Sequence, residues 1–184
     1  DRRAVPLVEA GALALPPGSA ALSVEGSYAA VGSTDGVRLF DVFDVAAPAE
    51  LCVLAVPNVV RPVLQWPLLW VLNERGLLSY DIADPASPRL LGSYAAALAT
   101  DLEVQGTRGV LTAGGDLHVL DLSDPSRPRR TSILRTADRL TAVALRGGYA
   151  YVGGGDVRLR TVDLASSPLE EVGFVAEGPA TGVD

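Results

Sequence analysis

Apolar residues in this chain alternate with polar ones over short runs, and turn residues end each run before a helical stripe can develop. ALSV, YAAV and VRLFDV, between residues 21 and 42, read as three successive strands, which we label a, b and c. The same succession returns as PVLQ, LLWVL and LLSYDI, then as DLEV, GVLTA and LHVLDL, and finally as AVAL, YAYV and VRLRTVDL. Strand b is rich in β-branched and aromatic residues, which suit a pleated, packed surface. Strand c carries apolar residues at both parities: Val37 and Leu39 point one way, Phe40 and Val42 the other, so it is expected to be covered on both faces. Glycine-bearing links, Thr34-Asp35-Gly36, Glu74-Arg75-Gly76, Gly114-Gly115-Asp116 and Gly154-Gly155-Asp156, join b to c as hairpins.

A fourth strand, d, follows a recurring turn. The segments DVFDVAAP (Asp41 to Pro48), DIADPASP (Asp81 to Pro88), DLSDPSRP (Asp121 to Pro128) and the shortened DLASSP (Asp163 to Pro168) place prolines at 48, 88, 128 and 168, an interval of 40. Four strands per 40 residues, with a middle strand buried on both faces, describe sheets stacked radially. The fold class is all-β: a β-propeller segment of four-stranded antiparallel blades, expected to be an incomplete propeller. In this frame residues 1–13 form the outer strand of a preceding blade. Residues 14–54, 55–94, 95–135 and 136–177 are blades 1 to 4, and 178–184 start a further blade. The Ala-rich stretch from Tyr94 to Ala99 is the one helical competitor, and the period puts it in a d to a connection.

Turn chemistry accounts for the recurring residues. Asp44, Asp84 and Asp124 can accept a backbone N–H two residues on, Pro85 and Pro125 preset φ, and the prolines opening strand d sit where a missing N–H is tolerated. Asp41, Asp81, Asp121 and Asp163 end strand c, where a carboxylate needs donors, and are expected to tie the c to d turn. The alternative use of Asp81 with Asp84, or Asp121 with Asp124, is as oxygen ligands for calcium. No EF-hand-like loop accompanies them, and no cofactor is otherwise called for.

DIADPASPRLLGSY, DLSDPSRP and LRGGYAYVGGGDVRLRTVDL resemble the LVIVD-repeat family of bacterial and archaeal proteins. The resemblance covers nearly the whole chain and is most specific in the second to fourth units. It implies a β-propeller, an extracellular or cell-surface setting, and no shared catalytic chemistry. Asp44-Val45 replaces Asp-Pro in the first unit. The family's aspartate in strand a survives only as Asp101, with Ala21, Arg61 and Ala142 at the equivalent positions.

Composition narrows the partners. The 15 basic residues are all arginine against 22 acids, a net charge of -7, so a surface that tracks nucleic-acid phosphates is not expected. Arg127, Arg129, Arg130, Arg135 and Arg139 lack interleaved aromatics and read as a solvated strand edge. No apolar run reaches the roughly 20 residues of a membrane helix, so direct membrane insertion is not expected. Cys52 is the single cysteine and reads as a small buried apolar residue.

Residues that break the repeat are the candidates for function. The face made by b to c and d to a loops nominates Asp35, Glu74, Arg75, Asp116 and Asp156, with Arg61 and Asp101 at neighbouring positions near the channel as an ion pair. Such a face would bind a protein or a small polar ligand, and other blades or domains of the same protein are further partners. His118, the only histidine, lies mid-blade in strand c, away from the channel, and no nucleophile or phosphate-binding motif is present. Trp70 reads as core, and Trp66, at an a to b turn, reads as a packed residue or, alternatively, an exposed contact. The reading is a non-catalytic scaffold or binding module. Its alternative is part of a metal-dependent, lactonase-like propeller hydrolase whose other ligands lie outside this chain.

Overall fold

The computed structural model describes residues 9–15, 17–154 and 158–176. Among them are sixteen strands and no helix. Blade 1 contains β1 (Ala21–Glu25), β2 (Tyr28–Gly32), β3 (Val37–Asp41) and β4 (Ala49–Leu54). Blade 2 contains β5 (Val59–Gln65), β6 (Leu68–Asn73), β7 (Gly76–Asp81) and β8 (Arg89–Ala95). Blade 3 is β9 (Ala99–Gln105), β10 (Arg108–Ala113), β11 (Asp116–Asp121) and β12 (Arg129–Arg135). Blade 4 is β13 (Leu140–Arg146), β14 (Tyr149–Gly154), β15 (Arg158–Asp163) and β16 (Glu170–Ala176). Each blade is one sheet whose strands pair in sequence order, all antiparallel. The Ala-rich stretch finishes β8, turns, and starts β9, so no helix forms there.

Both faces of the middle strands are used. Leu69 and Val71 of β6 join Val37 and Leu39 in the core between blades 1 and 2. Their sequence neighbours Trp70 and Leu72 turn to the opposite side and meet Leu102, Leu111 and Leu120 of blade 3. A third core, with Val119, Val143, Val152 and Val162, lies between blades 3 and 4. Phe40, as the alternation requires, leaves the blade 1 and 2 core for a small cluster with Ala29 and Val31 on the other side of blade 1. The ladder between c and d slips by one residue at the same repeat position in every blade, next to Leu39, Ser79, Val119 and Thr161. Such a bulge strengthens the local twist of the outermost strand.

The first strands β1, β5, β9 and β13 pack against one another in succession and form the inner wall. At the two ends of the arc some apolar positions of the pattern are exposed, although Ala29, Val31 and Phe40 on the outer side of blade 1 stay buried. Leu22 and Val24 of β1 are exposed where their counterparts Pro62 and Leu64 in β5 are buried, and Leu159 is 47% exposed where its counterpart Leu77 is fully buried. Residues 1–8 and 178–184, assigned from sequence to neighbouring blades, lie outside the described residues.

The recurring carboxylates cap turns. Asp41, Asp81, Asp121 and Asp163 accept the N–H of Phe43, Ala83, Ser123 and Ala165 at 2.8–3.0 Å. Asp44, Asp84 and Asp124 do the same for Ala46, Ala86 and Ser126. Asp81 and Asp121 also receive Arg89 and Arg129 from strand d. Both oxygens of Asp81 and Asp121, and one oxygen each of Asp84 and Asp124, therefore face donors. Among the described residues no three His, Cys, Asp or Glu side chains gather into a metal-sized group. Cys52 differs from expectation: it lies on the outer strand β4 and is only half-buried, because an outermost strand has no blade layer beyond it.

The Ser123 side chain and N–H, then Arg129, hold Asp121 down from 3.8 to about 2. A depressed carboxylate contributes stability that is present above the unfolded value and is lost as pH falls through the folded one. The stability gap between the native chain and Asp121→Ala is therefore expected to be constant at neutral pH. Urea titrations should show it closing between 3.8 and about 2.

Candidate functional site

The b to c hairpins and d to a connections do share one end of the blades. Asn58 and Val59 donate N–H groups to the carbonyls of Thr34 and Ser33, Leu98 to Glu74, and Leu140 to Gly114. Gly76 permits the close approach in blade 2: its φ is +138°, and a Cβ there would lie 2.1 Å from the Tyr94 carbonyl. Asn58 and Leu98 occupy the same place in successive connections, and both adopt positive φ, 54° and 61°. For a bulky residue such as Leu98 that conformation is unusual, and its side chain is 69% exposed on this loop face.

Below the loops, Arg61 of β5 and Asp101 of β9 meet at 2.8 Å, Nη1 to Oδ1. Asp101 is buried, and its other oxygen accepts the N–H of Val143 at 2.8 Å. One carboxylate thus joins the inner strands of blades 2, 3 and 4. Blade 2 presents Arg61 where blade 3 presents Asp101, so it offers no carboxylate to the N–H of Leu102. The Asp101 carboxylate itself accepts that N–H, at 2.9 Å. Glu103, unmarked in the sequence reading, stands 3.7 Å from Nη2 of Arg61. Burial pushes the Glu103 carboxyl up, against the pull of Arg61. The Arg61 side chain stays 42% exposed between these two carboxylates.

Other nominated residues are spread along the rim. Asp35 is exposed and bonds only its neighbour Thr34 among the described residues. Glu74 receives the Asn58 side-chain amide across the blade boundary. Arg75 is exposed, with its N–H on the Asn73 side chain. Asp116 is half-buried, 3.8 Å from Nε2 of His118. Asp156 lies outside the described residues. His118 is buried between blades 2 and 3, where Tyr94 Oη meets Nδ1 at 2.9 Å. Burial and then Arg130 lower its pKa, opposed by Asp116. Trp70 is fully buried, while Trp66 is 46% exposed and stacks on Tyr28 with ring centres 4.8 Å apart. Sequence reading also missed the cluster in which Arg160 joins Asp138 and Glu171, since these residues come together only across strands.

The two members of the ion pair should respond differently to truncation. Asp101→Ala leaves the buried Val143 N–H without its acceptor and is expected to cost about 1–3 kcal/mol. Arg61→Ala removes a half-exposed partner and should cost less than about 1 kcal/mol. Chemical denaturation of the two variants reads the difference, and equal losses would contradict the assigned role of Asp101.

The LVIVD repeat matches residues 71–96, 110–136 and 140–172. The unmatched first unit is the one with Asp44-Val45 in place of Asp-Pro. No curated protein matches the sequence. Solved structures resemble the fold at low identity. A protein from Lactobacillus plantarum gives a TM-score of 0.77 at 14% identity, over 94% of this chain and 60% of its own. The computationally designed Ika8 protein gives 0.72 at 16% identity, over 85% and 48%. The N-terminal domain of Nup159 gives 0.62 at 14% identity, over 88% and 45%. The chain thus spans about half the length of these structures. With its period, its turn aspartates and three matched repeats within residues 71–172, the chain carries LVIVD repeats in an arc of β-propeller blades.

Proposed function

We propose that this β-propeller repeat module is a non-catalytic scaffold that binds a protein or a small polar ligand at the channel mouth beneath the b to c and d to a loops. The half-exposed Arg61 guanidinium, set between Asp101 and Glu103 at that mouth, carries the reading. It departs from the repeat and lies two residues after Val59, whose N–H bonds the b to c hairpin of blade 1, whereas the carboxylates that recur in every unit are taken up by turns. A structure of S. cerevisiae Dbp5 bound to Nup159 is among the structural neighbours, with a TM-score of 0.62, and so supplies an arc of similar shape in a protein complex. The family resemblance supports an extracellular or cell-surface setting. The exposed Leu22 and Val24 of β1 and Leu159 of β15 suit further blades of the same kind as additional partners.

Peptides selected for binding to the immobilised chain test this reading. They are expected to lose affinity roughly tenfold or more on Arg61→Ala and to be unaffected by Asp84→Ala at the opposite end of the blades. Selected peptides indifferent to Arg61→Ala would refute the channel mouth as the binding surface.

A further inference from the structure

A groove of about 340 Å³ runs between blades 1 and 2, away from the channel. Val56 and Pro57 of the d to a connection form one side, and β7 with Leu78 and Tyr80 forms the other. Its size falls at the lower end of the roughly 300–1,000 Å³ range of small-molecule sites. The wall is largely apolar, and each of its polar side chains can donate a hydrogen bond. Tyr80 is 9% exposed, and its hydroxyl has no hydrogen-bond partner among the described residues. Asn73 is 7% exposed; its Oδ1 accepts the Arg75 N–H, which leaves the Nδ2 hydrogens as the unused capacity. At the mouth Arg75 is exposed and makes no ion pair among the described residues, while the adjacent Glu74 is held by Asn58. Ser93, also on the wall, has a hydroxyl that can donate.

Buried polar groups are nearly always met by a partner, so two unmet donors in one groove call for an acceptor from outside the chain. Burial pushes the Tyr80 phenol up, which keeps it a donor at neutral pH. Water could meet single donors, but it would leave the apolar wall wet and the Arg75 charge without a counterion. We propose that this groove binds a small organic carboxylate with an apolar body, the carboxylate received by Arg75, Asn73 and Tyr80 and the body lying on Val56, Pro57 and Leu78. The groove's lining does not include Arg61, Asp101 or Glu103, so either assignment stands without the other.

The test is NMR titration of the isotope-labelled chain with hexanoate and phenylacetate, alongside hexanol and hexylammonium. Expected are saturable shifts at the amides of Arg75, Gly76 and Ser93 with the carboxylates, and binding roughly tenfold weaker for hexanol. Arg75→Gln should weaken carboxylate binding by roughly tenfold, Tyr80→Phe by a smaller factor, and Arg61→Ala not at all. Circular dichroism confirms that each variant is folded. The proposal is overturned if neither carboxylate gives saturable shifts, if hexanol or hexylammonium binds as well as hexanoate, or if Arg75→Gln leaves the affinity unchanged.

Discussion

A four-stranded sheet that is apolar on both faces cannot stand alone in water, and everything else in this chain follows from that constraint. Along β6 the side chains go alternately to two different cores, Leu69 and Val71 to one, Trp70 and Leu72 to the other. Burying a tryptophan removes roughly 150–250 Å² from water, worth several kcal/mol at about 25 cal/mol per Å². A turn hydrogen bond contributes about 0.5–1.5 kcal/mol. Stacking of neighbouring blades therefore dominates stability, and the capped turns decide where each strand begins and ends.

Polar groups then set the alignment of one blade on the next. The ties recur along the inner wall: Ser23 accepts the Leu64 N–H, Gln65 donates to the Gly106 carbonyl, and Gln105 donates to that of Leu145. Asp101 extends the same logic to Val143. At the outer edge the Ser79 hydroxyl reaches the Pro125 carbonyl of the following turn. Each side chain bonds the backbone of the next unit, so these contacts fix the stacking without depending on which side chain the neighbour carries. That leaves the loop ends free to vary. The departures that matter, Arg61, Arg75 and the exposed Leu98, lie at that end or just below it.

The fold was legible because one physical solution is written four times, and its punctuation is local. An aspartate two residues before the N–H that donates to it, or a proline opening an outer strand, is visible in a window of eight residues. Partnerships across blades were harder to see. The equivalence of Arg61 and Asp101 in the repeat suggested their pairing, but the bond from Asp101 to Val143, 42 residues away, has no local signature. Glu103 and Arg160 acquire their meaning only from what stacks against them. Asn73 and Tyr80 resembled ordinary strand residues, since an unmet donor is a property of the packed structure and not of the residue type.

Amide hydrogen exchange, followed residue by residue, tests most directly whether mutual burial of the blades holds the arc together. The amides of β6, β7, β10 and β11 are expected to exchange most slowly and at a common rate, through one cooperative opening that spans blades 2 and 3, with the outer strands β8 and β12 exchanging first. Separate exchange of each sheet at its own rate, or equal protection of the outer strands, would mean that the blades are stable singly and would contradict the account.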